Sequence, residues 1–130
     1  MARTVTSLCA VTVVRLEQRT PFVTQDGSAI RELAGLPSGN AANQSLAQAT
    51  LQPGGETEEH FHRQTEEIYL FTDGEGRMRL GEQEFTVRAG DCVVIEPGVP
   101  HKLWADRDAP LVLLCCCAPA YRHEDTVLLA

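Results

Sequence analysis

The chain has 130 residues, eleven of them basic and eighteen acidic, for a formal net charge of −7. That length supports one domain with a real core and is too short for two. An acidic chain without a Lys/Arg cluster lacks the footprint of a nucleic-acid or anionic-membrane binder, and no run approaches the roughly 20 apolar residues that span a bilayer.

In chain order, the first apolar stretch runs from Val5 to Leu16, broken by Thr6, Ser7 and Thr12. It reads as a first strand rather than a secretory leader, because no small-residue cleavage site follows. Ser28 to Leu36 suits either a short helical turn or a strand, closed by Gly35 and Pro37. Leu36 to Asn43 is a loop by composition. Strand-like runs then recur at regular spacing: Gln44–Leu51, His60–His62, Ile68–Thr72, Arg77–Leu80, Glu84–Arg88, Cys92–Glu96, His101–Ala105 and Leu111–Ala118. Between them stand Asp73-Gly74, Gly81-Glu82 and other glycine turns, where glycine supplies the positive φ a tight hairpin needs. Many short strands with evenly placed turns predict an all-β sandwich or barrel. The expected layout is one domain over 1–130, with N-terminal strands and a loop over 1–43, a barrel over 44–118 and a tail over 119–130.

Within the hairpin Arg77–Val87, Met78, Leu80, Phe85 and Val87 go to one side and the charged residues to the other. Cys92-Val93-Val94-Ile95 is apolar at every position, as in a strand covered on both faces by the barrel interior and either another sheet or a second subunit. Five cysteines, Cys9, Cys92 and Cys115-Cys116-Cys117, do not make a secreted disulfide framework. The run of three sits in an apolar strand, where cysteine behaves as a small hydrophobe, with Cys115 and Cys117 opposite Cys116. Free thiols suit a reducing cytoplasm.

The chemistry concentrates in His60-x-His62-x4-Glu67 and His101. Residues i and i+2 of a strand share a face about 7 Å apart, at roughly 3.3 Å per residue. Two imidazoles leaning together from such positions reach one ion at bonds of about 2.1 Å. Glu67 adds a hard oxygen and His101 a third nitrogen. The fourth histidine, His123, stands among charged neighbours and reads as a surface residue.

Gly54-x5-His60-x-His62-x4-Glu67-x6-Gly74 resembles the first conserved motif of the cupin superfamily, and Gly90-Asp91-Cys92-Val93-Val94-Ile95-Glu96-Pro97-Gly98-Val99-Pro100-His101 resembles the second. Glu96 departs from the pattern where a proline is usual, and Ala105 stands where an asparagine often ends the second motif. Neither departure touches a ligand. The resemblance implies an all-β double-stranded β-helix, or jelly roll. It also implies that His60, His62, Glu67 and His101 hold one divalent transition metal, and that the protein is a homodimer. Of the two adjacent carboxylates, Glu67 rather than Glu66 leaves six residues before Gly74. Three imidazoles and one carboxylate suit Mn, Fe, Ni, Cu or Zn alike, and leave about two positions of an octahedral ion open, as catalytic sites do. Affinity for the ion should fall as the imidazoles protonate below about pH 6.5.

Beyond the ligands, Tyr69 and Phe71 share the face of Glu67 and are expected to line the cavity, with Leu103 narrowing it. Tyr69 is the candidate hydrogen-bond donor or proton carrier. Trp104 should point away from the metal, as should Phe61, which is assigned to the core. No arginine is obviously placed to hold a substrate carboxylate, Arg77 and Arg79 being the ones available. These residues suggest a cytoplasmic metal-dependent enzyme whose partner is a small oxygenated molecule. Either dioxygenase-type cleavage or keto–enol isomerase and lyase chemistry on a sugar-derived or keto acid would fit. The alternative is a binding protein without turnover.

Overall fold

Side-chain alternation decides how each strand sits. The computed structural model describes residues 13–129. In chain order its strands are β1 (Phe22–Val23), β2 (Ala29–Ala34), β3 (Ser45–Leu51), β4 (His60–His62), β5 (Glu66–Asp73), β6 (Glu75–Leu80), β7 (Gln83–Arg88), β8 (Cys92–Ile95), β9 (His101–Ala105), β10 (Leu111–Ala118) and β11 (Thr126–Leu128). Along β5, Glu67, Tyr69 and Phe71 are buried while Glu66, Ile68 and Leu70 are exposed. The same period of two buries His60 and His62 on β4, and His101, Leu103 and Ala105 on β9.

The strands form two antiparallel sheets. Six lie in the order β1-β2-β3-β10-β5-β8 and five in the order β11-β4-β9-β6-β7. Chain neighbours β5 and β6 therefore belong to different sheets, and so do β7 and β8, as a jelly roll requires. The inner faces enclose Phe71, Met78, Val87, Ile95, Leu111 and Leu113. Fully burying each of these large side chains contributes about 1.5–3 kcal/mol. Gly74 at the β5–β6 turn has φ +85°, and a Cβ there would lie 2.1 Å from the carbonyl oxygen of Pro110. Only glycine accommodates both the turn and that approach.

Several expectations need adjusting. The Val5–Leu16 strand lies mostly outside the described residues, and Leu16–Gln18 forms a short 3-10 turn. Ser28–Leu36 resolves in favour of a strand, because β2 pairs with both β1 and β3. The stretch read as a tail supplies β11, which pairs with β4 through Thr126↔His62 and Leu128↔His60. Cys92–Ile95 is covered on one face only. It is the edge of its sheet, and Val94 is 52% exposed beside exposed Ile68 and Leu70. Phe61 does face away from the histidines, but it is half-buried rather than part of the core.

Candidate metal centre

His60 and His62 share the inner face of β4, and the β4–β9 pairing sets His60 directly opposite His101. All three are buried, His101 completely. Their ring centroids lie 4.3 to 5.5 Å apart, and one nitrogen from each falls within 4.8 Å of the others. Glu67 reaches them from β5 in the facing sheet. Its Oε1 stands 3.0 Å from His62 Nε2 and 3.5 Å from His101 Nε2. Glu66 is exposed on the other side of the strand.

The hydrogen bonds behind the rings fix which nitrogen faces inward. His60 Nδ1 lies 2.9 Å from the Glu58 carbonyl oxygen, and His101 Nδ1 lies 3.0 Å from that of Val99. A carbonyl only accepts, so both Nδ1 atoms carry the proton. His62 Nδ1 sits 3.0 Å from Thr126 Oγ1, whose own hydrogen goes to the Arg122 carbonyl. His62 Nδ1 is therefore a donor too. In the neutral rings all three Nε2 atoms present bare lone pairs to one another and to a carboxylate.

Such a cluster repels itself unless something positive sits within it. His101 Nε2 is fully buried and has no hydrogen-bond partner among the described residues. A buried polar atom left so costs on the order of 1–3 kcal/mol. Burial pushes the His60 pKa down, and the neighbouring His101 adds to this, so the imidazole stays neutral. For Glu67, burial acts to raise the pKa, and His101 and His62 hold the carboxyl well below the usual range only in the state where their Nε2 atoms carry a proton; in the neutral rings that counter-charge is missing. Three neutral nitrogens, one carboxylate and an orphaned lone pair make a donor set that fits a divalent ion.

The Cys117 thiol donates to Glu67 Oε2 at 3.4 Å, which leaves Oε1 for the histidines. Burial, followed by the charge of Glu67, raises the thiol's pKa and keeps it protonated. Cys115 and Cys117 both line the cavity beside the histidines, while Cys116 lies on the opposite side of the strand. The hydrophobic reading of the cysteine run is thus incomplete at Cys117, which orients a carboxylate.

The cavity runs from His60, His62 and Glu67 toward β1 and β2. Tyr69 and Leu103 line it as expected, and burial raises the Tyr69 pKa well above its ordinary value, keeping the phenol neutral. Phe71 does not reach it; only 1% exposed, it packs edge-on behind Tyr69 in the core. Arg77 and Arg79 are also absent from the lining. Both lie over the Trp104 ring on the outer side of the second sheet and pair with Glu84 and Glu59. His123 is exposed, with its Nδ1 3.2 Å from the hydroxyl of Tyr121, and does not line the cavity.

Asp26, Ser28, Tyr121 and Thr126 are among the lining residues that were not foreseen. They come from the β1–β2 turn and from the C-terminal stretch, which have no metal-ligand spacing. Only Thr24-Gln25-Asp26-Gly27-Ser28, a turn-rich run, gave a local signal.

A two-sheet β-barrel with a buried three-histidine cluster facing a carboxylate defines a small barrel protein built around a cavity whose histidines could hold a metal ion. The family model for the cupin domain matches residues 47–117, and the chain belongs to that family. An uncharacterized protein of Methanocaldococcus jannaschii is 43% identical over 109 residues, covering 84% of this chain and 87% of that one. A variant of the Streptomyces nucleoside dehydratase Pac13 with uridine superimposes with a TM-score of 0.76 at 14% identity, over 93% of this chain and 92% of that one. A predicted oxalate decarboxylase from Thermotoga maritima gives a TM-score of 0.72 at 22% identity, over 83% and 99%. At these identities the solved structures establish the shared fold, which hosts many chemistries. No helix among the described residues is long and apolar enough to cross a membrane.

Proposed function

We propose that this cupin is a metal-dependent enzyme acting on a compact oxygenated molecule, with His60, His62, Glu67 and His101 as the ligands of one divalent transition ion. The observation that carries the reading is the meeting of three Nε2 atoms and Glu67 Oε1, with every Nδ1 already engaged by another protein oxygen. When bound, such an ion would polarise a substrate carbonyl or hold two substrate oxygens. The chain's own contributions are separate. Glu67 supplies a carboxylate oxygen, Cys117 orients it, and Tyr69 offers a neutral phenol to the cavity as hydrogen-bond donor. Leu103 and Leu113 keep the inner wall apolar. The structural relatives described as a nucleoside dehydratase and a predicted oxalate decarboxylase support enzymatic use of this scaffold.

Two reaction branches fit: dioxygenase-type cleavage, which needs a redox-active ion, and isomerase or lyase chemistry, which also works with Zn. The test is metal analysis of protein purified without added ions, followed by oxygen-uptake and solvent-deuterium exchange assays on neutral diketones and enols. Oxygen uptake supports the first branch, and exchange without uptake supports the second. Absence of both across the panel would favour a binding protein. Tyr69→Phe should then leave ligand affinity unchanged, whereas an enzyme should lose turnover.

We further propose a homodimer in the cytoplasm. The exposed apolar face of Ile68, Leu70 and Val94 on β5 and β8 supports the pairing, since an uncovered apolar face of this kind commonly marks an interface. Elution at a monomer's size in gel filtration would remove it.

A further inference from the structure

The cavity wall is acidic and has no basic counterweight. Asp26, Glu32 and Glu67 all line it, and among the described residues no lysine or arginine does. Arg19, the nearest basic group to Glu32 by bonding, is spent on the Glu32 carbonyl at 2.7 Å and on Ser38. The rest of the wall is apolar or hydroxylated, with Phe22, Ile30, Ala47, Ala49, Leu51 and Leu113 forming its body.

Asp26 is held in place. Its Oδ1 accepts hydrogen bonds from Thr24 Oγ1 at 2.8 Å, Ser28 N at 3.0 Å and Ser28 Oγ at 2.7 Å. Its carbonyl accepts from Glu58 N at 2.8 Å, and the Glu58 carbonyl in turn accepts from His60. The β1–β2 turn is thereby tied to the metal-binding strand. Oδ2 has no hydrogen bond among the described residues and lies 3.7 Å from His60 Nε2. An anchored carboxylate with one free oxygen beside the centre is an acceptor for a hydroxyl.

We infer that the cavity selects an uncharged molecule with an apolar ring or skeleton and adjacent hydroxyl groups, one of which donates to Asp26 Oδ2, and excludes carboxylates and phosphates. The selection deepens the proposed metal-dependent reading and rests on it for the second hydroxyl. Glu67 and Asp26 together cancel the charge of a divalent ion, so a further anion meets no net attraction. Glu32, whose carboxylate accepts from the Ser38 amide and hydroxyl at the outer end of the wall, adds like charge, and one unpaired charge in a site of reduced dielectric shifts affinity by about tenfold. A keto acid, held by Arg77 or Arg79, is thereby disfavoured.

The test compares catechol with 3,4-dihydroxybenzoate by calorimetric titration at pH 7.5, on zinc-loaded and metal-free protein, for the wild type and Asp26→Asn. Asparagine keeps the Oδ1 acceptor that holds the turn and removes the charge. Catechol is expected to bind about tenfold tighter than the carboxylated ring, and Asp26→Asn to bring the two toward equality while zinc content stays the same. Equal or tighter binding of 3,4-dihydroxybenzoate by the wild type overturns the inference, as does no binding of either. A large loss of zinc in Asp26→Asn would make Asp26 a ligand and also overturn it. Catechol affinity indifferent to zinc, with the charge preference intact in metal-free protein, removes the metal reading and leaves the preference standing.

Discussion

Replacing His101 with alanine is expected to weaken binding of a divalent transition ion roughly hundredfold or more. Complete metal sites in small proteins release about 10–16 kcal/mol, so one of four ligands accounts for about 3 kcal/mol. His101 is the most informative of the three histidines, because its Nε2 is fully buried and otherwise unpartnered. The metal-free variant should therefore lose little of the electrostatic stability that a paired group would have given. Its penalty is the space left among residues such as Leu103 and Tyr69. The wild type should gain about 2.7 kcal/mol of stability when free ion stands at a hundred times its dissociation constant, and the variant close to none at that same concentration. Competition against a chromophoric chelator measures the affinity, and melting with and without zinc measures the linkage. His123→Ala, on the exposed 3-10 turn Asp125 closes, should change neither. Equal zinc affinity in wild type and His101→Ala would remove the centre as a metal site.

Sequence carried the strand pattern because period-two alternation and turn glycines are local properties. His60, His62, Glu67 and Leu103 fell on the inward side as their parity requires. What alternation could not say is how deep along a strand a side chain sits. Phe71 shares the parity of Tyr69 but lies two residues further from the histidines, where the sheets close over the core. Parity also put Arg77 and Arg79 on one face without saying that the face is outside, stacked on Trp104. The largest omissions came from chain ends. Thr126 follows His62 by sixty-four positions and is brought to it only by the β4–β11 pairing. Asp125 anchors that return, accepting from the backbone of Gln64 at 2.8 Å and Thr65 at 3.1 Å. Such closure is a long-range consequence of the fold, and a three-residue edge strand leaves almost no periodic signal. Asp26 was missed for the same reason, since a turn carboxylate reads as turn chemistry until a cavity is known to lie beneath it.

Substituting glutamine for Glu67 is expected to move stability and metal binding in opposite directions. At pH 8, above the ordinary imidazole range, the metal-free wild type places carboxylate lone pairs against the bare Nε2 of His62 at 3.0 Å and of His101 at 3.5 Å. Glutamine has the same shape and can turn its amide so that the oxygen keeps the Cys117 thiol bond, 3.4 Å long at Glu67 Oε2. The NH2 group then faces the imidazoles and donates where the carboxylate could only repel. One satisfied buried hydrogen bond is worth about 0.5–1.5 kcal/mol, so the metal-free variant should be more stable than the metal-free wild type by about that much. For the ion the sign reverses. A neutral amide, with its donor turned inward, removes an anionic ligand and should lower affinity by roughly hundredfold, leaving the zinc-loaded wild type the more stable of the two. Paired melting curves with chelator and with zinc read both signs in one experiment. Lower stability of Glu67→Gln in chelator would mean that a proton already bridges Glu67 and a histidine, and that the cluster is satisfied without metal. A crossing of the two proteins' order between chelator and zinc ties the strain in the empty ring of donors to the ion it is shaped to hold.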